Sequence, residues 1–121
     1  MADTASRELA VEIGRLLDEH KGVDTRVIDV SAQSSWTDYF VITTVTSQGH
    51  LQGILRYLKE LLDRHEIRPR GVRRRIGEDG WILVDCGNVV VHLMDSEKRQ
   101  FYDLENLWFS GEVLNHSSKS S

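Results

Sequence analysis

Apolar spacing changes several times along this chain, and each change marks an element. Leu9, Ile13, Leu16 and Leu17 recur at i, i+4, i+7 and i+8, which predicts a helix from Ser6 to His20, and Gly22 stands where it should stop. Val23 to Val30 alternates and predicts a strand with Val27, Ile28 and Val30 in the core. Polar Ser31 to Asp38 reads as a loop into a second strand, Tyr39 to Thr46, rich in aromatic and β-branched residues. Ser47 is placed to cap a second helix, where Leu51, Ile54, Leu55, Leu58, Leu61 and Leu62 form a continuous stripe. Pro69, the only proline, ends that region. Val72 to Ile76 is a basic third strand, and Gly77-Glu78-Asp79-Gly80 is a turn. Two apolar runs, Trp81 to Val84 and Val89 to Met94, flank Asp85-Cys86-Gly87-Asn88 and predict a β-hairpin. The period then lengthens: Phe101, Leu104, Leu107 and Trp108 fall on one face of a third helix, which Asp95 or Ser96 is placed to cap.

That order of elements predicts an α/β (α+β) domain with a single mixed β-sheet and helices packed on it. The domain is expected over residues 1–109. Residues 110–121, where the composition shifts to Asn, His, Ser and Lys, read as a disordered tail. A chain of 121 residues suits one domain with a real core, and 40% hydrophobic with 28% charged residues is ordinary for a globular protein. No apolar stretch approaches the roughly 20 residues that span a bilayer, so no membrane partner and a cytoplasmic location are expected. Cys86 is the only cysteine, so an internal disulfide is impossible.

A net charge of −4 argues against general nucleic-acid binding. The charge is uneven, however: Arg64, Arg68, Arg70, Arg73, Arg74 and Arg75 crowd one short region, while Asp18, Glu19, Asp24 and Asp29 cluster earlier. The arginines either line solvated strand and loop faces or form an electrostatic patch for an RNA-rich particle or an acidic partner. Asp38, Asp85 and Asp95 lie at predicted strand ends, where carboxylates converge on a metal in phosphoryl-transfer enzymes, and His50 is a candidate companion. No glycine-rich phosphate loop and no D-x-D pair accompanies them. Asp38 and Asp85 are therefore read as loop and turn hydrogen bonders, His50 as a capping or surface residue, and His92 as a sheet residue without a second metal ligand at suitable spacing. No cofactor is expected. Trp81 and Tyr102 are either core residues or interface anchors, and their placement at the edges of apolar runs favours partial exposure.

The stretch Trp81-Ile82-Leu83-Val84-Asp85-Cys86-Gly87-Asn88-Val89-Val90-Val91-His92-Leu93-Met94, followed by Arg99, Tyr102, Leu104-Glu105 and Leu107-Trp108, resembles the C-terminal signature of the Iojap-like ribosomal silencing factors. Ser34-Ser35-Trp36-Thr37-Asp38 and Thr44-Val45-Thr46-Ser47-Gln48-Gly49-His50 resemble the other block of that family. Val45 departs from its glycine, Gln48-Gly49 from its Ser-Arg, and Asn88 from its Asp. The resemblance implies a sheet distantly like that of nucleotidyltransferases. It also implies a non-enzymatic translational repressor that binds the large ribosomal subunit through large-subunit ribosomal protein fourteen and blocks subunit joining. Partner contacts are implied at Trp81, Cys86, Asn88 and Tyr102, with Arg73, Arg74 and Arg75 facing rRNA or an acidic patch, and the free protein is expected to be a homodimer. A metal-dependent nucleotidyl- or phosphoryl-transfer enzyme built on the three aspartates, and a large-subunit assembly factor, are the alternatives.

Overall fold

Strand β2 (Tyr39–Thr44) and strand β5 (Val89–Met94) are buried at every position and lie side by side in parallel, and the rest of the molecule is arranged around this pair. The computed structural model describes residues 4–32, 35, 37–69, 71–75, 78–102 and 112–116, with backbone alone for 71–75, 78–80, 112–116, Thr4 and Tyr102. Its elements are α1 (Thr4–Glu19), β1 (Val23–Asp29), β2, α2 (Gln48–Arg64), β3 (Gly71–Arg75), β4 (Glu78–Asp85), β5, α3 (Ser96–Tyr102) and β6 (Glu112–His116). The six strands form one sheet in the order β3-β4-β5-β2-β1-β6, and every pairing except β2 with β5 is antiparallel. The single mixed sheet with packed helices is the expected fold class.

Alternation along the central strands sorts their side chains onto two faces. Val27, Tyr39, Val41, Ile82, Val84, Val89, Val91 and Leu93 meet the stripes of α1 and α2, with Ile13, Leu17, Leu51, Ile54 and Leu58 in the same cluster. Burying each such Leu or Ile contributes roughly 1.5–3 kcal/mol. Ile28, Val30, Phe40, Ile42, Trp81, Val90 and Met94 form a second cluster on the opposite face. Both faces of β2 and β5 are thus apolar, which is why these strands read as continuous hydrophobic runs.

The helix boundaries have local causes. The hydroxyl of Ser47 accepts the backbone N–H of His50 at 3.0 Å and caps α2 as expected. Asp95, rather than Ser96, caps α3 by accepting the backbone N–H of Lys98 at 2.7 Å. Gly22, after α1, sits so close to β2 that a Cβ would collide with the Thr43 hydroxyl and press on the Leu17 carbonyl, which restricts the position to glycine.

Four expectations are corrected. Residues 78–80, expected in a turn, belong to β4, because Glu78 already pairs with Arg75. Residues 112–116, expected in a disordered tail, form β6 on the outer side of β1, where backbone pairing makes a short segment of mixed composition a strand. Phe101, expected on an apolar helix face, is 77% exposed; its expected stripe partners Leu104, Leu107 and Trp108 lie outside the described residues. Trp81, expected to be partly exposed, is only 5% exposed, because the hairpin register sets it opposite Met94 inside the second cluster.

Candidate partner-binding surface

The β4–β5 turn brings Cys86 and Asn88 to one end of the sheet. Asp85 accepts the backbone N–H of Gly87 at 2.9 Å, and Gly87 takes a φ of 88°, which closes the turn as its Asp/Gly spelling predicts. The backbone carbonyl of Asn88 accepts the N–H groups of both Asp38 and Tyr39 at 3.0 Å, fixing the turn to the start of β2. The Asn88 side chain crosses to α1, where its amide donates to the Ser6 hydroxyl at 3.1 Å. An aspartate at this position, as in the family pattern, would accept from the same hydroxyl, so the departure keeps the tie.

Cys86 and Asn88 line a groove of about 450 Å³ with Ser6, Leu9 and Glu12 of α1, and with His65 and Ile67 beyond α2. Leu9, Ile67 and Cys86 pack against the helix-side core and form its apolar floor. His65 Nε2 and a Glu12 carboxylate oxygen meet at 2.8 Å on its rim. Burial first, and the neighbouring Asp85 charge second, push the Cys86 thiol up to about 11. It is therefore a neutral, weakly nucleophilic side chain at neutral pH, suited to apolar contact.

Trp81 stands midway along β4, opposite Met94 at the far end of β5, and on the opposite face of the sheet. Its indole N–H donates to His92 Nδ1 at 3.3 Å, and Phe40 packs edge-on against the same imidazole at 4.7 Å between ring centres. Because Nδ1 accepts, the hydrogen of neutral His92 resides on Nε2, a buried donor without a partner among the described residues. Burial lowers the His92 pKa to about 3. Tyr102 ends α3, whose start adjoins the Met94 end of β5. Trp81 and α3 thus belong to one end of the hairpin and Cys86 and Asn88 to the other. Arg73 and Arg74 lie on β3, in register with Leu83 and Ile82, and Arg75 with Glu78.

The three aspartates do not share a site. Asp38 and Asp85 flank the Asn88 end of the hairpin, whereas Asp95 follows Met94 at the far end of β5, about 20 Å away at the rise of an extended strand. Asp85 and Asp95 spend an oxygen each on backbone N–H groups, the role expected for Asp85. His50 is a structural tie: its Nδ1 accepts the Thr46 N–H at 3.0 Å and its Nε2 donates to the His20 carbonyl at 2.9 Å. Among the described residues no cluster of three or more His, Cys, Asp or Glu side chains is arranged to hold a metal.

Arg99 makes long-range contacts that the sequence does not announce. It is 8% exposed, and its guanidinium donates to the Val23 carbonyl at 3.2 Å and to the Thr44 hydroxyl at 3.1 Å, with Asp24 at 3.8 Å. No local spacing signals a contact between residues 76 positions apart.

Fold and surface together define a small mixed-sheet α+β domain with an amphipathic groove at one end and an arginine-bearing strand at one edge. The chain belongs to the family described as ribosomal silencing factor during starvation, whose model matches residues 3–121. It is similar to the ribosomal silencing factor RsfS of Treponema pallidum, with 36% identity over 100 residues, covering 82% of this chain and 88% of that one. It is also 38% identical over 95 residues to the mouse protein named mitochondrial assembly of ribosomal large subunit protein 1, covering 77% of this chain but only 42% of the mouse protein. A crystal structure from Chromobacterium violaceum matches with a TM-score of 0.73 and 29% identity, over 97% of this chain and 93% of that one. Family members are named as silencing factors rather than enzymes, and among the described residues no helix is long and apolar enough to cross a membrane.

Proposed function

We propose that this protein silences ribosomes by occupying the large subunit. It binds through large-subunit ribosomal protein fourteen, at the face where the small subunit docks, and so prevents subunit joining and lowers translation in the cytoplasm. The supporting observation is the family match over residues 3–121. The mechanism is exclusion and needs no reacting group, in keeping with carboxylates that cap and close turns instead of converging. Cys86 and Asn88, on the groove wall, and Tyr102, at the end of α3, are the proposed contacts to the ribosomal protein. Trp81 contributes from beneath, by packing, or by exposure when the partner docks. Arg73, Arg74 and Arg75 supply a second surface. The free protein is a homodimer that gives way to a one-to-one complex. Co-sedimentation with separated subunits tests the proposal: the protein should travel with the large subunit and, when pre-bound, deplete the joined-ribosome peak. Its absence from the large-subunit fraction would overturn the proposal.

A second function, large-subunit assembly, is favoured by the name of the mouse relative. Its mark is accumulation of large-subunit precursors on depletion, with joining of mature subunits unaffected by added protein.

A further inference from the structure

The twelve residues 64–75 contain six arginines and one glutamate, in a chain whose formal net charge is −4. The fold concentrates this charge at one margin. Arg64 ends α2 and, like Arg68, is exposed. The chain then enters β3, the terminal strand of the sheet, which pairs only with β4 among the described residues. Arg73 and Arg74 are consecutive strand residues in register with Leu83 and Ile82, so no acidic residue stands opposite either; only Arg75 registers with an acid, Glu78. Charged residues on an edge strand commonly just discourage sheet-to-sheet aggregation, and one or two suffice for that. The density here is greater, and all of it is arginine, whose planar guanidinium suits bidentate contact with phosphate.

We propose that the α2 end and the β3 edge form a phosphate-binding rim that docks on the rRNA backbone of the large subunit beside the protein contact. This rests on the large-subunit proposal above. RNA is favoured over an acidic protein face because six arginines fall within twelve residues, a charge density that suits the closely repeated phosphates of a polyanion. The contact is positional and carries no base specificity.

The test measures affinity for purified large subunits against salt concentration, for the wild type and for Arg73→Gln/Arg74→Gln and Arg64→Gln/Arg68→Gln. Each double variant should bind roughly tenfold more weakly near physiological salt, with the slope of log affinity against log salt flattened by about 1–2. Arg73→Lys/Arg74→Lys should keep most of the slope. Affinity for isolated ribosomal protein fourteen should not change. Unaltered subunit affinity and slope in both double variants would overturn the rim, as would an equal loss on the isolated protein, which would assign the arginines to a protein contact. The helix-end variant leaves β3 intact, so misfolding of the edge strand cannot mimic the result. If the wild type fails to bind large subunits, the silencing proposal falls separately. The rim is then judged on deproteinised large-subunit rRNA, where salt-dependent binding weakened in both double variants supports it and indistinguishable variants remove it.

Discussion

Two residues show how environment sets the character of an ionisable side chain. Cys86 lies half-buried beside Asp85, and both conditions hold its thiol neutral. His92 is enclosed by Trp81 and Phe40, accepts one hydrogen bond, and has no carboxylate partner that would stabilise an imidazolium among the described residues. Its folded-state pKa, about 3, lies below the ordinary 6.5. A lowered pKa means that the unfolded chain binds a proton the folded chain excludes. The stabilising difference is fully present above pH 6.5 and is lost as the pH falls towards 3. Between about pH 7 and about pH 4 the loss should be on the order of 3 kcal/mol from this group. Denaturant titrations at successive pH values should therefore show a steeper acid decline in the wild type than in His92→Gln, whose amide does not titrate. Parallel profiles would show that the imidazole is not excluded from protonation in the folded protein.

At the scale of elements, α3, described over Ser96–Tyr102, is tied to the rest of the fold by side chains as well as by its backbone. Three restraints hold it: the Asp95 cap, the packing of α3 against β5, and Arg99, which reaches back to the start of β1 and the end of β2. Replacing Arg99 by Met strands a part-buried carbonyl and a buried hydroxyl, the hydroxyl alone costing about 1–3 kcal/mol when its partner is lost. Arg99→Met should lower unfolding free energy by about 2–3 kcal/mol, and amides of α3 should exchange faster than those of α2. Arg99→Lys, with a single compact donor group, should fall between. Uniform exchange across both helices would instead make Arg99 a global stability residue.

The same element shows where sequence periodicity stops being informative. The stripes of α1 and α2 are legible because long helices repeat their apolar spacing against one sheet face. The repeat fixes the phase, and Ile13, Leu17, Leu51, Ile54 and Leu58 are all buried accordingly. The hairpin is legible because Asp85 and Gly87 dictate its turn. Phe101 misleads because an apolar spacing marks a helix face without saying what covers it. Trp81 misleads because exposure depends on what lies across the sheet, here Met94 and His92 from another strand. β6 escapes notice because an edge strand is made by backbone pairing to β1, to which five residues of mixed composition give little clue. Of the candidate contacts, the turn pair Cys86 and Asn88 does meet at one groove, since the short turn fixes their separation; the tie from Asn88 to Ser6, 82 positions away, is not legible.

For the whole molecule, the distribution of apolar surface bears on the proposed homodimer. Among the described residues the exposed large hydrophobics are Val23, Tyr57 and Phe101. Tyr57 is partly engaged, stacked on His20 at 3.8 Å. Phe101, at 77% exposure, is the chief side chain that a second subunit would cover, and it adjoins Tyr102, a proposed contact to the ribosomal protein. A two-fold contact centred there places the Phe101 of one protomer near that of the other, so one substitution acts twice. It would also make the proposed dimer and the proposed ribosomal complex exclude each other, since both would need the same end of α3. Phe101→Glu should therefore weaken dimerisation by at least about tenfold, because two like charges would be buried together in place of two rings. Stability should change little, since most of the side chain is already in solvent. Light scattering over a concentration series, with and without isolated ribosomal protein fourteen, checks this. The wild type should pass from dimer to a one-to-one complex as the ribosomal protein is added. A wild type that is monomeric at every concentration, or a complex that keeps its dimer, would separate self-association from the ribosomal contact and remove the end of α3 from one of them.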